Sequence, residues 1–445
     1  MIKSVGKLHS PLLLVFAVFI VFLPTLFNDF QRGWDDQWQV LDYEFVTSHS
    51  LSDLWYHFTH YHLGQYMPVN TVLYVIIYET FGFNPVAFHA ASLLIHLVNA
   101  LLVYAIICIT IRQTKPAWSA ERIRIFSFLA TLAFAIHPLQ VESVAWISAS
   151  KIVLYSLFFL MGIRLYLNYL RTLNAWWLIG VALCYLLAYG SKEQAIIFPL
   201  NLLAFDYVFH RFKKLSFSFW SLKNTVIVEK IPFFFIALLL YAFSVSNNLG
   251  TFTTDTYPLY QRFLFSMSSF MEYLFRYIAP VKLYYFYFFP IEVGEALPLY
   301  FWVYPVLVTI CIIFIRVNFV RNNRLVIFGF LLFIINIVLV LHLIPMPRKM
   351  ITADRYMYFS LIGLGVTAAW FIYYLYVREK AWRKFLIPGL TAYFIFFGAH
   401  SFVRTTEWKD SDSIKKNVNE LIDKRKAENK PAVDNPLQND AYGEE

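Results

Sequence analysis

The sequence predicts an all-α polytopic membrane protein, and two observations decide it. Of its 445 residues 59% are hydrophobic and only 15% charged, with a mean hydropathy of +0.56, outside the range of a soluble globular chain. The apolar residues also gather in runs of about 17 to 25, long enough at 1.5 Å per residue to cross a hydrocarbon core of roughly 30 Å as helices. Barrel strands would instead alternate apolar and polar residues. The net charge of +9 sits largely in short connections between the runs, the pattern membrane topology requires, so nucleic acid is not implied.

The first run, 11–27, follows Lys3 and Lys7. No small-residue cleavage site comes after it, so an uncleaved first helix is expected. The two lysines place the N-terminus in the cytoplasm, and Arg112, Lys115, Arg122 and Arg124 put the connection after the second span, 86–111, on the same side. Residues 28–85 then form a large outer loop with seven carboxylates and one arginine, whose "LWYHFTHYHLG" reads as helix lying in the interface. Further spans are expected at 125–145, 152–170, 176–190, 194–209 and 231–247, with the basic stretch "HRFKKLSFSFWSLKNTVIVEK" cytoplasmic between the last two. "RFLFSMSSFMEYLFRYIAP" decides the parity of the later spans. If it spans, Arg316, Arg321, Arg324, Arg378, Lys380, Arg383 and Lys384 fall outside; if it lies on the outer face or re-enters it, they fall inside. The second choice also spares Glu272 and Arg276 from lipid. Spans at 300–317, 325–344, 356–377 and 385–402 complete a bundle of eleven. The expected organisation is a transmembrane domain over 1–402 and a polar outer-face tail over 403–445, a short helix followed by disorder. Cys108, Cys184 and Cys311 each fall within a span and read as small apolar packing residues.

This topology brings four polar clusters to one face: Asp35 and Asp36 in "GWDDQW"; His137, Glu142 and Lys151 in "HPLQVESVAWISASK"; Lys192 and Glu193 in "GSKEQ"; and Arg348, Lys349, Asp354, Arg355 and Tyr356 in "MPRKMITADRYMY". Each has a plainer reading. The aspartates could cap a helix end, Lys192 could snorkel or pair with Glu193, and Arg348 could anchor to headgroups. Arg355 resists that treatment, because it abuts an apolar run and needs an anionic partner. His57, His60 and His62 match no zinc spacing, and His89 and His96 are expected to bond within the bundle. No metal ligand is assigned.

The ordered set "WDD", "YMPVNTVLYVIIYETFGFNPVAFHAASLLIHLVNALL", "HPLQVESVAWISASK", "SKEQ" and "ADRYMYFSLIGLG" resembles the membrane half of the transmembrane and tetratricopeptide-repeat O-mannosyltransferases and their bacterial relatives, within the GT-C superfamily. The resemblance covers roughly residues 28 to 370. Two departures stand out. No tetratricopeptide array follows the last span, which bears on acceptor recognition, and Met67 stands where the relatives typically have arginine, which bears on a phosphate or loop contact.

The resemblance implies transfer of a mannose-like hexose from a polyprenyl-phosphate donor to a hydroxyl of a protein Ser/Thr or a glycan, with inversion. Asp35 or Asp36 would be the base, with Asp36 preferred and the other orienting acceptor or sugar. Lys192 and Arg355 are the first choice for the lipid phosphate, Lys151 and Arg348 the second, while His137, Glu142, Glu193 and Tyr356 would position the sugar or brace the loop. No cofactor is assigned, and the need for a divalent metal is left open. A bacterial inner membrane, with the C-terminal tail periplasmic, is the expected location. The competing classes are a lipid-linked-sugar transporter or flippase, which predicts a charged path through the bilayer rather than charges gathered at one face, and a non-catalytic scaffold.

Overall fold

The computed structural model describes residues 9–48, 50–62, 64–214, 225–248, 257–317, 323–344 and 350–427. Arg321, Arg348, Lys349, much of the basic stretch 215–224 and the end of the tail, 428–445, lie outside them.

Among the described residues the chain is helical throughout, with no strand beyond two isolated bridges. Helix α1 (His9–Phe22) runs on as a 3₁₀ turn to Phe27. The outer loop after it carries α2 (Glu44–Thr47), α3 (Leu51–Thr59) and α4 (Pro68–Phe81), and leads into α5 (Pro85–Thr114), the longest helix. Next come α6 (Ala120–Ala135), α7 (Val141–Ala145), α8 (Ser150–Thr172), α9 (Trp176–Ser191) and α10 (Phe198–Val208), then α11 (Thr225–Val228) and α12 (Ile231–Asn248). The remainder is α13 (Leu259–Ile278), α14 (Val303–Ile315), α15 (Arg324–Ile337), α16 (Ser360–Arg378), α17 (Arg383–Thr406) and α18 (Ser411–Ala427).

The bundle is apolar on its outside. Leu12, Phe16, Leu94, Ile179, Leu183, Phe235, Leu238, Ile310, Phe385 and Ile395 are all exposed on helices, the distribution of a chain whose surface faces lipid. This is an integral, multi-pass membrane protein. Among the described residues six helical stretches are long and apolar enough to cross a bilayer alone, and α6 with α7 makes a seventh if that bent pair is one span; α9 and the stretches 299–315 and 324–340 are shorter. Each expected span coincides with helix, but 125–145 is not straight. It bends by 53° after Ala135. His137 is extended before Pro138, as steric conflict with the proline ring requires, and the freed chain makes two short turns before α8 begins.

Some polar side chains inside the bundle pair with each other or with carbonyls, while others, Ser92 and Ser127 among them, do not. His96 on α5 donates from Nε2 to the Ala135 carbonyl at 2.9 Å and accepts the Tyr358 hydroxyl at Nδ1 at 2.7 Å, while Asn99 reaches the Tyr358 oxygen and the Val153 carbonyl. One cluster thus joins α5, α6, α8 and the turn before α16. At the other end, Asp206 accepts from Tyr166, Arg211 and Lys230, and Arg211 pairs with Glu229. This set of two cations and two carboxylates joins α8 and α10 to the turn before α12.

Helices α15 and α16 meet through glycines. A Cβ added at Gly363 would strike the Gly329 carbonyl oxygen, and one at Gly365 would come within 2.5 Å of the Ala130 carbonyl oxygen of α6. Small residues allow backbones to approach this closely without a hydrophobic driving force between helices. Gly363→Val is expected to cost about 1–3 kcal/mol, read as a lower thermal unfolding midpoint in detergent.

Helix α13 is tied at both ends to the connection after α15: Arg262 near its start donates to the Leu343 carbonyl at 3.0 Å, and Arg276 near its finish donates to Thr352 Oγ1 at 3.0 Å.

Candidate active site at the outer end of the bundle

The loop that opens the site is held from inside. After Phe27 the chain turns at Gly33, whose φ of +70° only glycine adopts freely, and Asp36 then enters the protein. Its carboxylate is fully buried: Oδ1 accepts the Ser148 amide at 2.8 Å and the Ser148 hydroxyl at 2.5 Å, and Oδ2 accepts the Gln31 amide at 2.9 Å. The bend at Pro138 delivers Ser148, by ending α6 early and letting 141–149 fold back beneath the loop. Burial pushes the Asp36 carboxyl up to about 6, against the pull of these donors. Asp36 ties the loop down. With no exposed surface and both oxygens occupied, it does not fit the preferred part of proton acceptor.

Asp35 differs in every respect. It is partly exposed, and among the described residues nothing hydrogen-bonds or ion-pairs with its carboxylate. The nearby charges of Lys151 and Arg355 act on it.

Lys151 begins α8 and is buried, its Nζ donating to Gln39 Oε1 at 3.0 Å and Gln65 Oε1 at 2.6 Å. The charges that reach it are those of Lys192, Asp35, Arg355 and Tyr356. Four segments that the sequence separates therefore converge around one buried ammonium. Lys192 stands at the end of α9, and its neighbour Glu193 accepts hydrogen bonds from Tyr61 of the outer loop and from Ser244 of α12 at 3.2 Å. Burial pushes the Glu193 carboxyl up. Glu193 fastens the loop to the bundle.

Arg355 has found its anion within the protein. Its guanidinium pairs with Glu142, whose Oε2 also accepts the Arg355 amide at 2.8 Å. The guanidinium lies over Trp146 at 5.3 Å and Tyr356 at 5.1 Å, and keeps 15% of its surface exposed. Two aromatic rings flank the cation, an arrangement favourable to a guanidinium.

His137 is placed elsewhere. Nε2 donates to the Tyr277 carbonyl at 3.0 Å, Nδ1 accepts the Leu139 amide at 3.1 Å, and the ring stacks on Tyr277. Both nitrogens are used in joining the α6 break to α13, which leaves neither for a sugar. Among the loop histidines, His57 bonds the Tyr43 hydroxyl through Nδ1 at 2.9 Å, and His62 bonds the Trp38 carbonyl through Nε2 at 3.3 Å and stacks on Tyr43. Among the described residues no group of three or more His, Cys, Asp or Glu could hold a metal ion.

Tyr287, Arg404 and Trp408 contribute without belonging to any of the motifs. Asp354 is buried and accepts Arg404 at 2.7 Å and the Tyr287 hydroxyl at 2.9 Å, with Arg276 over the Tyr287 ring. Asp354 and Arg355 therefore clamp one short turn from two sides. Trp34, Trp146 and Trp408 form an aromatic group beside Asp35 and Arg355, with Trp408 fully buried. The tail is thus part of the packed body through Ala427, since Ile414, Val418 and Ile422 are buried as well.

The raised Asp36 carboxyl has a signed consequence. Between about pH 4 and about pH 6 the folded protein holds a proton there that the unfolded chain has released, so stability falls as pH rises across that window. At about 1.4 kcal/mol per pH unit the change is at most a few kcal/mol. Unfolding midpoints measured at pH 4.5 and 7 are expected to fall more in wild type than in Asp36→Asn.

The charges of Asp35, Lys192 and Arg355 thus all act on Lys151, in a helical membrane protein. No family model matches the chain. It is similar to the protein O-mannosyl-transferase TMTC2 of Mus musculus, 31% identical over 154 residues, 33% of this chain and 17% of that protein. It is also similar to TMTC4 of Mus musculus, 28% identical over 151 residues, 30% of this chain and 20% of that protein, and to TMTC2 of Homo sapiens, 27% over 191 residues, 42% and 21%. The chain spans about a fifth of the length of these curated relatives. Among solved structures, ArnT from Cupriavidus metallidurans bound to undecaprenyl phosphate aligns with a TM-score of 0.45 and 14% identity, over 85% of this chain and 62% of that one. The relatives are the O-mannosyltransferases that the ordered motifs resemble.

Proposed function

We propose that the protein is a membrane glycosyltransferase that moves a mannose-like hexose from a polyprenyl-phosphate donor to a hydroxyl, of protein Ser/Thr or of a glycan. The observation that carries this is the convergence of Asp35 with Lys151, Lys192 and Arg355 at one end of the bundle. Its relatives' names agree with the reaction.

In the mechanism this supports, the acceptor oxygen attacks the anomeric carbon and gives its proton to Asp35. The bond from that carbon to the phosphate oxygen breaks, and the configuration inverts. The electron pair leaves on the lipid phosphate, whose growing charge Lys192 and Arg355 stabilise, with Lys151 behind them. Arginine offers a planar fork to phosphate and lysine a point charge. Asp36 serves as the anchor that sets Asp35, and Glu142 and Tyr356 hold Arg355 in place. The isoprenoid tail lies against the apolar exterior, which places the reaction where lipid meets water. A bacterial inner membrane with this end periplasmic completes the reading.

The test incubates purified protein with polyprenyl-phosphate mannose and, separately, a Ser/Thr-rich peptide and an oligosaccharide. Transfer with an inverted anomeric centre is expected. If a hexose-loaded lipid is only carried across vesicles, and no glycosidic bond forms with either acceptor, the transporter class replaces this reading.

A further inference from the structure

The catalytic loop is tethered at three points by the far end of the chain. Asn28 Nδ2 donates to the Thr405 carbonyl at 3.0 Å, the Asp29 amide to the Lys409 carbonyl at 2.7 Å, and Gln31 Nε2 to the Trp408 carbonyl at 2.8 Å. Thr405 lies in the last turn of α17, and the other two acceptors belong to the turn between α17 and α18. The Trp408 ring sits in the same turn, with no exposed surface. It stacks at 6.3 Å on Trp34, the residue before Asp35, and at 5.5 Å on Trp146, the ring beneath Arg355, with Tyr285 edge-on at 5.2 Å. Glu407 fixes Tyr285 by accepting its hydroxyl at 2.9 Å. Ile414 is buried where α18 begins, beside the turn, Val418 and Ile422 are buried farther along the helix, and Arg425 donates to the Phe289 carbonyl at 2.8 Å.

These contacts bracket Asp35. On one side the loop is held by Trp34 on Trp408, and on the other by Asp36 on Ser148, while the Asp35 carboxylate has no bond of its own among the described residues. Its position is decided by its neighbours' tethers. Trp408 touches both halves of the site through two rings, one beside the carboxylate and one under the guanidinium.

We propose that Trp408 is a positioning residue, setting the distance between the Asp35 carboxylate and the phosphate-binding cations by stacking on Trp34 and Trp146. The inference rests on the reading of Asp35 as proton acceptor. Misplacing a reacting group by about 1 Å can cost about 100-fold in rate, whereas donor binding depends on cations that keep their other supports.

The test uses the full chain in detergent or nanodiscs, with Trp408→Ala, Trp408→Phe and Val418→Ala, the last removing equally buried packing from α18 without touching the loop. Trp408→Ala is expected to lower kcat by about 10- to 100-fold with donor KM within about twofold, and to speed hydrogen exchange across 28–41. Trp408→Phe should restore most of the rate, and Val418→Ala should match wild type. Should Trp408→Ala not fold, Gln31→Ala cuts one tether from the loop side, with the same signature expected at smaller size. Unchanged exchange in 28–41, or an equal kcat loss in Val418→Ala, overturns the proposal. A wild type that transfers no sugar sinks the functional reading, while the exchange measurement still judges the tether.

Discussion

Asp35→Asn is expected to abolish sugar transfer and leave the protein folded. Asparagine matches aspartate in shape but cannot take a proton at neutral pH, and general-base catalysis contributes about 10²- to 10⁴-fold. No hydrogen bond of the described residues depends on the Asp35 carboxylate, so the unfolding midpoint should stay within about 0.5 kcal/mol of wild type. Asp36→Asn should behave differently. An amide placed there keeps one oxygen for Ser148 but turns an NH₂ toward the Gln31 amide, donor against donor. The loop loosens, so exchange across 28–41 rises together with the loss of activity. Circular dichroism, hydrogen exchange and a transfer assay on both variants separate the two aspartates. If Asp35→Asn retains transfer, the assignment of the base is wrong.

The second large effect concerns Arg355. Arg355→Gln leaves the Glu142 carboxylate buried, with only the backbone amide opposite it, and an unpaired buried charge of this kind costs about 3–5 kcal/mol. Such a variant loses activity for a reason that says nothing about phosphate. The pair of substitutions Glu142→Gln with Arg355→Gln removes both charges and should recover most of the stability, because two neutral amides of similar volume can bond to each other. Activity should not return, since the cation meant for the departing phosphate is still missing. A double variant that recovers both stability and transfer would assign Arg355 to the fold alone.

Much of this was legible in the sequence, and the reasons differ by element. Apolar run length located the helices, and the distribution of Lys and Arg brought the polar clusters to one face, because both are imposed by the bilayer rather than by packing. The bend after Ala135 was signalled by Pro138, yet the apolar run continued through it and read as one span. Which aspartate is buried was not legible, because Asp35 and Asp36 are adjacent and only the turn at Gly33 decides which one meets Ser148, 112 residues away. The Glu142–Arg355 pair spans 213 residues; the need for a partner could be read, its identity could not. The role of the tail was hidden by its average polarity. Its signal was periodic: Ile414, Val418 and Ile422 recur every four residues, one face of a helix, and Trp408 precedes them in a polar stretch where a tryptophan has no reason to be exposed. His137 was drawn toward the site by its motif. Its actual work is at the helix break, where a residue before proline has an extended backbone and a side chain free to accept an amide.

The central claim is that Asp35 and the outer-end cations form one site for a lipid phosphate. A structure determined with polyprenyl phosphate bound tests it most directly. The phosphate is expected within about 4 Å of the Lys192 ammonium and the Arg355 guanidinium, the range of a charge-assisted contact, with the Asp35 carboxylate facing the open side of the phosphate where a sugar would be attached. A phosphate bound instead at the opposite end, beside Arg211 and Lys230, or at the outer end with Asp35 turned away behind the Trp34 ring, would contradict it.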